Sequence, residues 1–429
     1  MHLVQWIMPL NIPDSSLPRV VIIGAGFAGF TLARKLAGNN YQIVLVDRNN
    51  YHQFQPLFYQ VGMAGLEPSS ICFPLRKSFQ SDPGFFVRVT EVLALDTAGK
   101  RVITEAGNFK YDILILAMGA RTNYYGNEEF EKNSIPLKSV SESLYLRNTL
   151  LGDLESALLL KDGEDLAPWL DLVIVGGGPT GVELAGALAE LKKYIIPRDY
   201  PDLAHDQMDI HLIQGADRLL PSMSVRSSAK ALGDLQKMGV QVHLGQRVLR
   251  IDHGRVSLSD GTSLFARKVI WAAGVSPAIL PGLPESAYAP DQRILVDSFL
   301  QVHGLEDVYA LGDIACVVSP DTPQGLPQVA PVALQQAAWL AKFLRKKSRR
   351  PFMYTDKGTM ATIGRNKAVV DIGSLHFSGF FAWVTWLFVH IYYLIGVRNK
   401  LVVLLNWTWS YLFFDQALRL LIKPFTKKV

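Results

Sequence analysis

The chain has 429 residues, 49% of them hydrophobic and 19% charged, and 43 Lys and Arg against 38 Asp and Glu give a formal net charge of +5. That length supports two or three domains with sizeable cores, and with only two cysteines, Cys72 and Cys316, and no C-x-x-C, it excludes a small disulfide-stapled scaffold and favours a reducing compartment and thiol-independent chemistry. The positive excess is concentrated beyond residue 397, and no nucleic-acid module accompanies it, so DNA and RNA are not expected as partners.

Before Pro13 the N-terminus carries Trp6 and other apolar residues but no basic n-region, which argues against a signal peptide. The run 19–23 (RVVII) then reads as a buried parallel strand leading through Gly24, Gly26 and Gly29 into a helix over 27–36. In such a turn the first glycine allows the bend and the second lets backbone approach a pyrophosphate. The third lets helix pack on strand, with the phosphates facing the helix N-terminus. A strand over 42–46 ends in Asp47, placed to accept hydrogen bonds from an adenosine ribose. The same plan recurs where 172–175 (LVIV) runs into Gly176, Gly178 and Gly181. Its second strand is expected at 209–213 and ends in Gln214, a neutral residue at the ribose position, with Arg218 nearby as a candidate partner for a 2′-phosphate. One such turn could be an ordinary βα loop, but two in full strand-turn-helix context point to two dinucleotides.

The first α/β segment is expected over 17–122 and a second over 123–277, each closing on an apolar strand followed by glycine. Residues 278–350 return to the first domain through a strand that delivers Asp313 beside Gly312, followed by a helix over 332–344. A β-ribbon fills 351–376. Residues 377–397 hold no formally charged side chain except His390 if protonated, and as one helix these 21 residues would span about 30 Å, the thickness of a bilayer core. The stretch 401–414 is apolar but shorter, and Trp383, Trp386, Tyr392, Tyr393, Trp407, Trp409 and Tyr411 supply rings suited to an interface. A crossing helix at 377–397 and helices lying in one leaflet both fit; one long apolar stretch with a short basic tail favours the second. The basic run at Lys342 and 345–350 is either a solvated helix end or a contact for anionic headgroups. Glu183 lies in the first turn of the helix after the second glycine motif, where the helix dipole alone would favour it. Its apolar surroundings over 182–189 suggest instead a packed site, in which desolvation raises a carboxyl pKa and suits it to proton handling.

The two glycine turns, the segment 50–61 (NYHQFQPLFYQV), Gly312 with Asp313, the segment 330–336 (APVALQQ) and the aromatic tail together resemble the type II NADH dehydrogenases, non-proton-pumping members of the two-dinucleotide-binding-domain flavoproteins. The resemblance implies two Rossmann-like domains, an FAD domain interrupted by an NAD(P)H domain, plus a C-terminal helical extension (377–429) on the membrane. It implies FAD contacts at Gly24, Gly26, Gly29, Asp47, Arg48, Gln55, Gly312, Asp313 and Ala330, and NAD(P)H contacts at Gly176, Gly178, Gly181 and Gln214. Glu183 would lie near the nicotinamide and isoalloxazine, and Gln335 and Gln336 would bond a quinone carbonyl, although Pro331 stands where the family motif has its first Gln. Hydride would pass from NAD(P)H to the flavin N5, then two electrons to a membrane quinone, with no metal. The expected place is the cytoplasmic face of the cell membrane, and a homodimer is left open. Two other classes remain in view: a sulfide:quinone reductase, which needs a cysteine pair at the flavin, and a flavin-bearing regulatory protein resembling apoptosis-inducing factor.

Overall fold

The structure, a computed structural model, describes residues 11–161, 163–347, 350–413 and 418–422. Trp6, Lys423, Lys427 and Lys428 lie outside the described residues. In chain order the first elements that position the site are β1 (Arg19–Ile23), α1 (Phe27–Leu36), β2 (Gln42–Asp47), α2 (Phe58–Gly62), β3 (Phe85–Val89) and β4 (Ile113–Leu116). There follow β5 (Ile135–Pro136), β6 (Leu172–Val175), α3 (Pro179–Glu190), β7 (Ile210–Gln214), α4 (Val225–Lys237), β8 (Val240–Leu244) and β9 (Lys268–Trp271). The chain closes with β10 (Val308–Ala310), α5 (Ala330–Leu344), the ribbon β11 (Thr359–Gly364), β12 (Lys367–Ile372) and β13 (Leu375–Ser378), then α6 (Phe380–Tyr393) and α7 (Val397–Phe413).

Two compact units result. The first joins the residues up to His52 with Phe73–Arg121 and Val275–Asp356 around a five-stranded sheet, order β10-β4-β1-β2-β3, parallel throughout. Because both faces of a parallel sheet are covered, its central strand can be apolar at every position, and Val20, Val21 and Ile22 are fully buried. The chain leaves β1 to one side for β2 and β3, then crosses to the other for β4 and β10. This places the topological switch point, where open α/β sheets bind ligands, at the C-terminal end of β1.

The second unit comprises Gln53–Cys72, Thr122–Gly274 and Lys357–Val429. Its parallel sheet has the order β5-β9-β6-β7-β8, with the switch at β6, repeating the first plan. The antiparallel ribbon β11-β12-β13 belongs here too, and α3 approaches it so closely that a Cβ on Gly186 would lie 1.9 Å from the Ile363 carbonyl oxygen. Ala382 of α6 packs on Ala368 and Val370 of β12. The segment 53–72, read from sequence as part of the first domain, thus has its contacts in the second unit, as does everything after 356.

Several local readings shift. The strand expected from 209 and ending in Gln214 starts one residue later, at Ile210. The helix expected at 332–344 starts at Ala330, with Pro331 in the first turn, where its missing N–H costs no helical bond. The apolar stretch 377–397 is not one helix. It begins in β13, continues as the 14-residue α6, and breaks at Leu394 (ψ 139) and Gly396 (φ 86) before α7. At 1.5 Å per residue α6 is about 21 Å long, well short of the bilayer core. No helix among the described residues is long and apolar enough to cross a membrane.

Candidate active site

In the first unit Gly24 takes φ +99, and a Cβ there would lie 2.3 Å from the Ala117 carbonyl oxygen; a Cβ on Gly29 would lie 1.8 Å from that of Gly24. These two glycines are demanded by the fold itself. Gly26 is different, because a Cβ on it meets nothing within 4 Å. It is the N-cap of α1 and brings no side chain of its own to the helix N-terminus. Open backbone at a helix N-terminus on a switch point is what an anionic pyrophosphate requires, so these residues fit a dinucleotide. Asp47 braces the turn: Oδ2 accepts from Ala25 N–H at 2.7 Å and Oδ1 from Asn49 N–H at 2.7 Å. Burial raises its pKa, opposed by these two bonds and by the charge of exposed Arg48. Each carboxylate oxygen keeps a lone pair for a ribose hydroxyl.

His52, to which no motif assigns a role, lies behind this turn. Its Nδ1 is 2.8 Å from the Ala25 carbonyl oxygen, which can only accept, so Nδ1 carries the proton and Nε2 is bare, buried and without a partner. Burial holds its pKa down to about 4, so the ring is neutral. Beside the first turn of α1, where a Cβ on it would lie 3.4 Å from Ala28 Cβ, Gly312 donates its N–H to Gln336 Oε1 at 2.6 Å, and the buried Gln336 Nε2 has no partner among the described residues. Asp313 follows in a short 3₁₀ turn whose backbone oxygen accepts from Gln328 Nε2. Ala330 opens α5, half-buried. Gln335, on the exposed side of the same helix, has both ends of its amide engaged by the Thr355 backbone, at 2.8 and 3.0 Å.

The second unit repeats the cradle. A Cβ on Gly176 (φ +113) would lie 2.4 Å from the Ala272 carbonyl oxygen and one on Gly181 1.8 Å from that of Gly176, whereas one on Gly178 meets nothing. Gly178 caps α3, again with no side chain of its own. Gln214 Oε1 accepts from Gly177 N–H at 2.8 Å, the counterpart of the Asp47 bond to Ala25. Since Gly177 can only donate, the amide orientation is fixed, and a second carboxylate oxygen is replaced by the Nε2 donor. Arg218 spends Nη2 on the Pro221 carbonyl while its buried Nη1 has no partner. Gln55, read as an FAD contact, sits in this unit with its Oε1 3.4 Å from Lys138 Nζ.

Glu183, one turn into α3, is buried. Its Oε1 accepts from Trp386 Nε1 at 3.0 Å and from Thr362 N–H at 3.3 Å. Burial pushes its pKa up to about 8 in spite of both donors. Trp386 is only 1% exposed, although the tail aromatics were all read as interface rings. It stacks on His390 with ring centres 3.9 Å apart and tilts against Trp407, whose Nε1 donates to Gln60 Oε1 at 2.7 Å. Gln60 Nε2 in turn donates to the Tyr59 hydroxyl, whose pKa is raised by burial and by the Glu183 charge. The four-residue spacing of Ala382, Trp386 and His390 marks the inward face of α6 and was a signal available in the sequence. Lys400, a basic residue of the tail, donates to the Tyr392 carbonyl.

Fold and cradles define a class. The pyridine nucleotide-disulphide oxidoreductase model matches residues 18–337, and the NDH2 C-terminal domain model matches 357–414. The type II NADH:quinone oxidoreductase Ndh of Mycobacterium tuberculosis is 36% identical over 94% of this chain and 91% of its own length. An internal alternative NAD(P)H-ubiquinone oxidoreductase of Arabidopsis thaliana is 28% identical over 93% of this chain and 85% of its own length. The solved structure of NDH2 from Plasmodium falciparum in complex with NADH has the same fold, with a TM-score of 0.86 over 95% of this chain and all of that one at 19% identity. The chain belongs to the type II NADH:quinone oxidoreductase family.

Proposed function

We propose that the cradle at Gly26 holds FAD and the cradle at Gly178 holds NADH, and that Glu183 supplies a proton while a quinone is reduced, without proton pumping. FAD, when bound, takes a hydride from NADH and passes two electrons to the quinone. The observation that carries the assignment is the pair of glycines whose absent side chains leave open space at helix N-termini. Asp47 binds the FAD ribose, and Gly312, fixed by Gln336, brings the start of α5 and Asp313 to the cofactor.

Making a quinol consumes two protons, and a buried carboxyl that is neutral at pH 7 is a proton source close to the working pH. Of the two glutamines read as quinone ligands, Gln335 already has both amide ends bonded, so the free N–H donor left for a carbonyl is Gln336 Nε2. At the second cradle the neutral Gln214 removes the repulsion a carboxylate would exert on a 2′-phosphate, so NADPH serves beside NADH. The outer faces of α6 and α7 carry Phe381, Phe388, Tyr392, Leu405, Trp409 and Leu412, all exposed, which suits helices lying in one leaflet from the cytoplasmic side, where quinone is at hand.

The thiols speak against a sulfide-oxidising enzyme. Burial pushes Cys72 up to about 12 and raises Cys316 as well, so neither is a ready thiolate. The test is an anaerobic absorbance experiment on the purified protein. NADH should bleach a bound flavin and a soluble quinone should restore it; a colourless protein, or a flavin that NADH leaves oxidised, overturns the assignment.

A further inference from the structure

Nothing in the proton-donor reading requires the C-terminal helices, yet Glu183 is held by one of them. Its Oε1 is 3.0 Å from Trp386 Nε1, and Trp386 is the largest fully buried side chain among the described residues. The same helix, α6, turns Phe381 (77% exposed) and Phe388 (72% exposed) outward. One face of a single 14-residue helix thus grips the carboxyl group while the opposite face is apolar and unpartnered. The grip is backed on every side. His390 stacks on the Trp386 indole, its own Nδ1 bonded to the Trp386 carbonyl, and Phe54 meets His390 edge-on at 6.2 Å. Trp407 of α7 packs on Trp386 and is fixed by Gln60.

We propose that Trp386 is the positioning residue for Glu183, through which the membrane-facing helix α6 orients that carboxyl group and governs its proton. The proposal rests on the reading of Glu183 as the proton donor. Indole N–H is a donor only, so it bonds the carboxylate more strongly than the neutral acid, and removing it disfavours ionisation. The ionisable groups around Glu183 are Tyr59 from α2, His390 from α6, and Glu190 on α3 itself, the last held by Arg365 N–H and offset by the Arg365 and Lys367 charges. Burial keeps His390 down to about 4 and raises both Tyr59 and Glu190. Around neutral pH His390 and Tyr59 therefore do not change charge in step with Glu183, whose own value is about 8.

The experiment uses the full chain with its cofactor bound. Trp386→Phe keeps the ring and removes the N–H. The protonated carboxyl band of Glu183 in the infrared spectrum, assigned by its loss in Glu183→Gln, is followed against pH. The midpoint should move upward by about one pH unit or more in Trp386→Phe, the scale of one hydrogen bond to a charged group. The pH midpoint of flavin reoxidation by quinone should move with it, while the rate of flavin reduction by NADH stays as in wild type. A second measurement needs no change in α6: the indole ¹⁵N–H resonance of Trp386 in the unaltered protein should titrate with the Glu183 midpoint and stay fixed in Glu183→Gln. An infrared midpoint unmoved in Trp386→Phe, or an indole resonance indifferent to Glu183, overturns the positioning role. If instead Glu183→Gln leaves quinone reduction and its pH profile unchanged, the proton-donor reading fails, and the infrared and indole titrations still decide whether Trp386 holds Glu183.

Discussion

Glu183 and Gln214 show how much one side chain's surroundings can add to its type. Folded, Glu183 keeps its proton up to about pH 8, whereas its ordinary value is 4.5. Between those values the folded chain binds a proton that the unfolded chain does not. The stability linked to this group is therefore complete below the unfolded value and is lost as pH rises through the folded one. Glu183→Gln cannot ionise and should flatten that decline. In thermal unfolding the wild type should lose more Tm than the variant between about pH 6 and about pH 9, and parallel losses would mean that Glu183 is not buried as described. Gln214 differs from an acidic residue in one atom that matters, since its Oε1 is already committed to Gly177. Gln214→Glu keeps that bond and places a second carboxylate oxygen where Nε2 was. The change should restore preference for NADH over NADPH by about 1 to 3 kcal/mol, the scale of a charged hydrogen bond or its loss. The ratio of kcat/KM for the two nucleotides in wild type and variant measures it, and an unchanged ratio places Gln214 away from the ribose.

Among the elements, α6 has two unlike faces, and that decides how the membrane role proposed for it can be tested. Deleting everything after residue 376 would release the protein from lipid, but it would also strip Trp386 from Glu183 and uncover Ala368 and Val370. Changing Phe381 and Phe388 together to Asp leaves the inward face intact. Each apolar ring is worth about 1.5 to 3 kcal/mol when buried, and acidic replacements also repel anionic headgroups, so binding to anionic vesicles should weaken at least about tenfold. Cosedimentation measures this; a double variant that sediments like wild type would put attachment elsewhere. What was legible before the structure follows the same logic. The strands at 19–23 and 172–175 stood out because parallel strands buried on both faces are apolar at every position. The tail was harder, since composition records how apolar a helix is and not which side faces protein; Trp386 was read as an interface ring for that reason. Gln335 and Gln336 are neighbours in sequence but about 100° apart around α5, so one bonds the Thr355 backbone and the other is buried against Gly312.

Across the whole molecule the informative feature is that one plan is used twice, with its glycines divided in the same way each time. Gly24 and Gly29, like Gly176 and Gly181, are fixed by backbone that approaches within 2.4 Å of their missing Cβ, so they would be required even if no nucleotide bound. Gly26 and Gly178 have no such neighbour, which leaves room there for a ligand's phosphates. The division follows the order of the glycines in the motif, with the first and third serving the fold and the second the ligand. The distinction predicts a double dissociation. Gly26→Val should fold, purify without flavin colour and still bind NADH, because its side chain enters only the first cradle. Gly178→Val should be yellow and should be bleached by a chemical reductant and restored by quinone, yet NADH should reduce it at a rate lower by two orders of magnitude or so, as expected when backbone approach to the pyrophosphate is blocked. The checks are the flavin content of each variant, NADH binding by fluorescence in the first, and stopped-flow bleaching by NADH in the second. If Gly26→Val keeps its flavin, or Gly178→Val is the one that loses it, the two cofactors have been assigned to the wrong units.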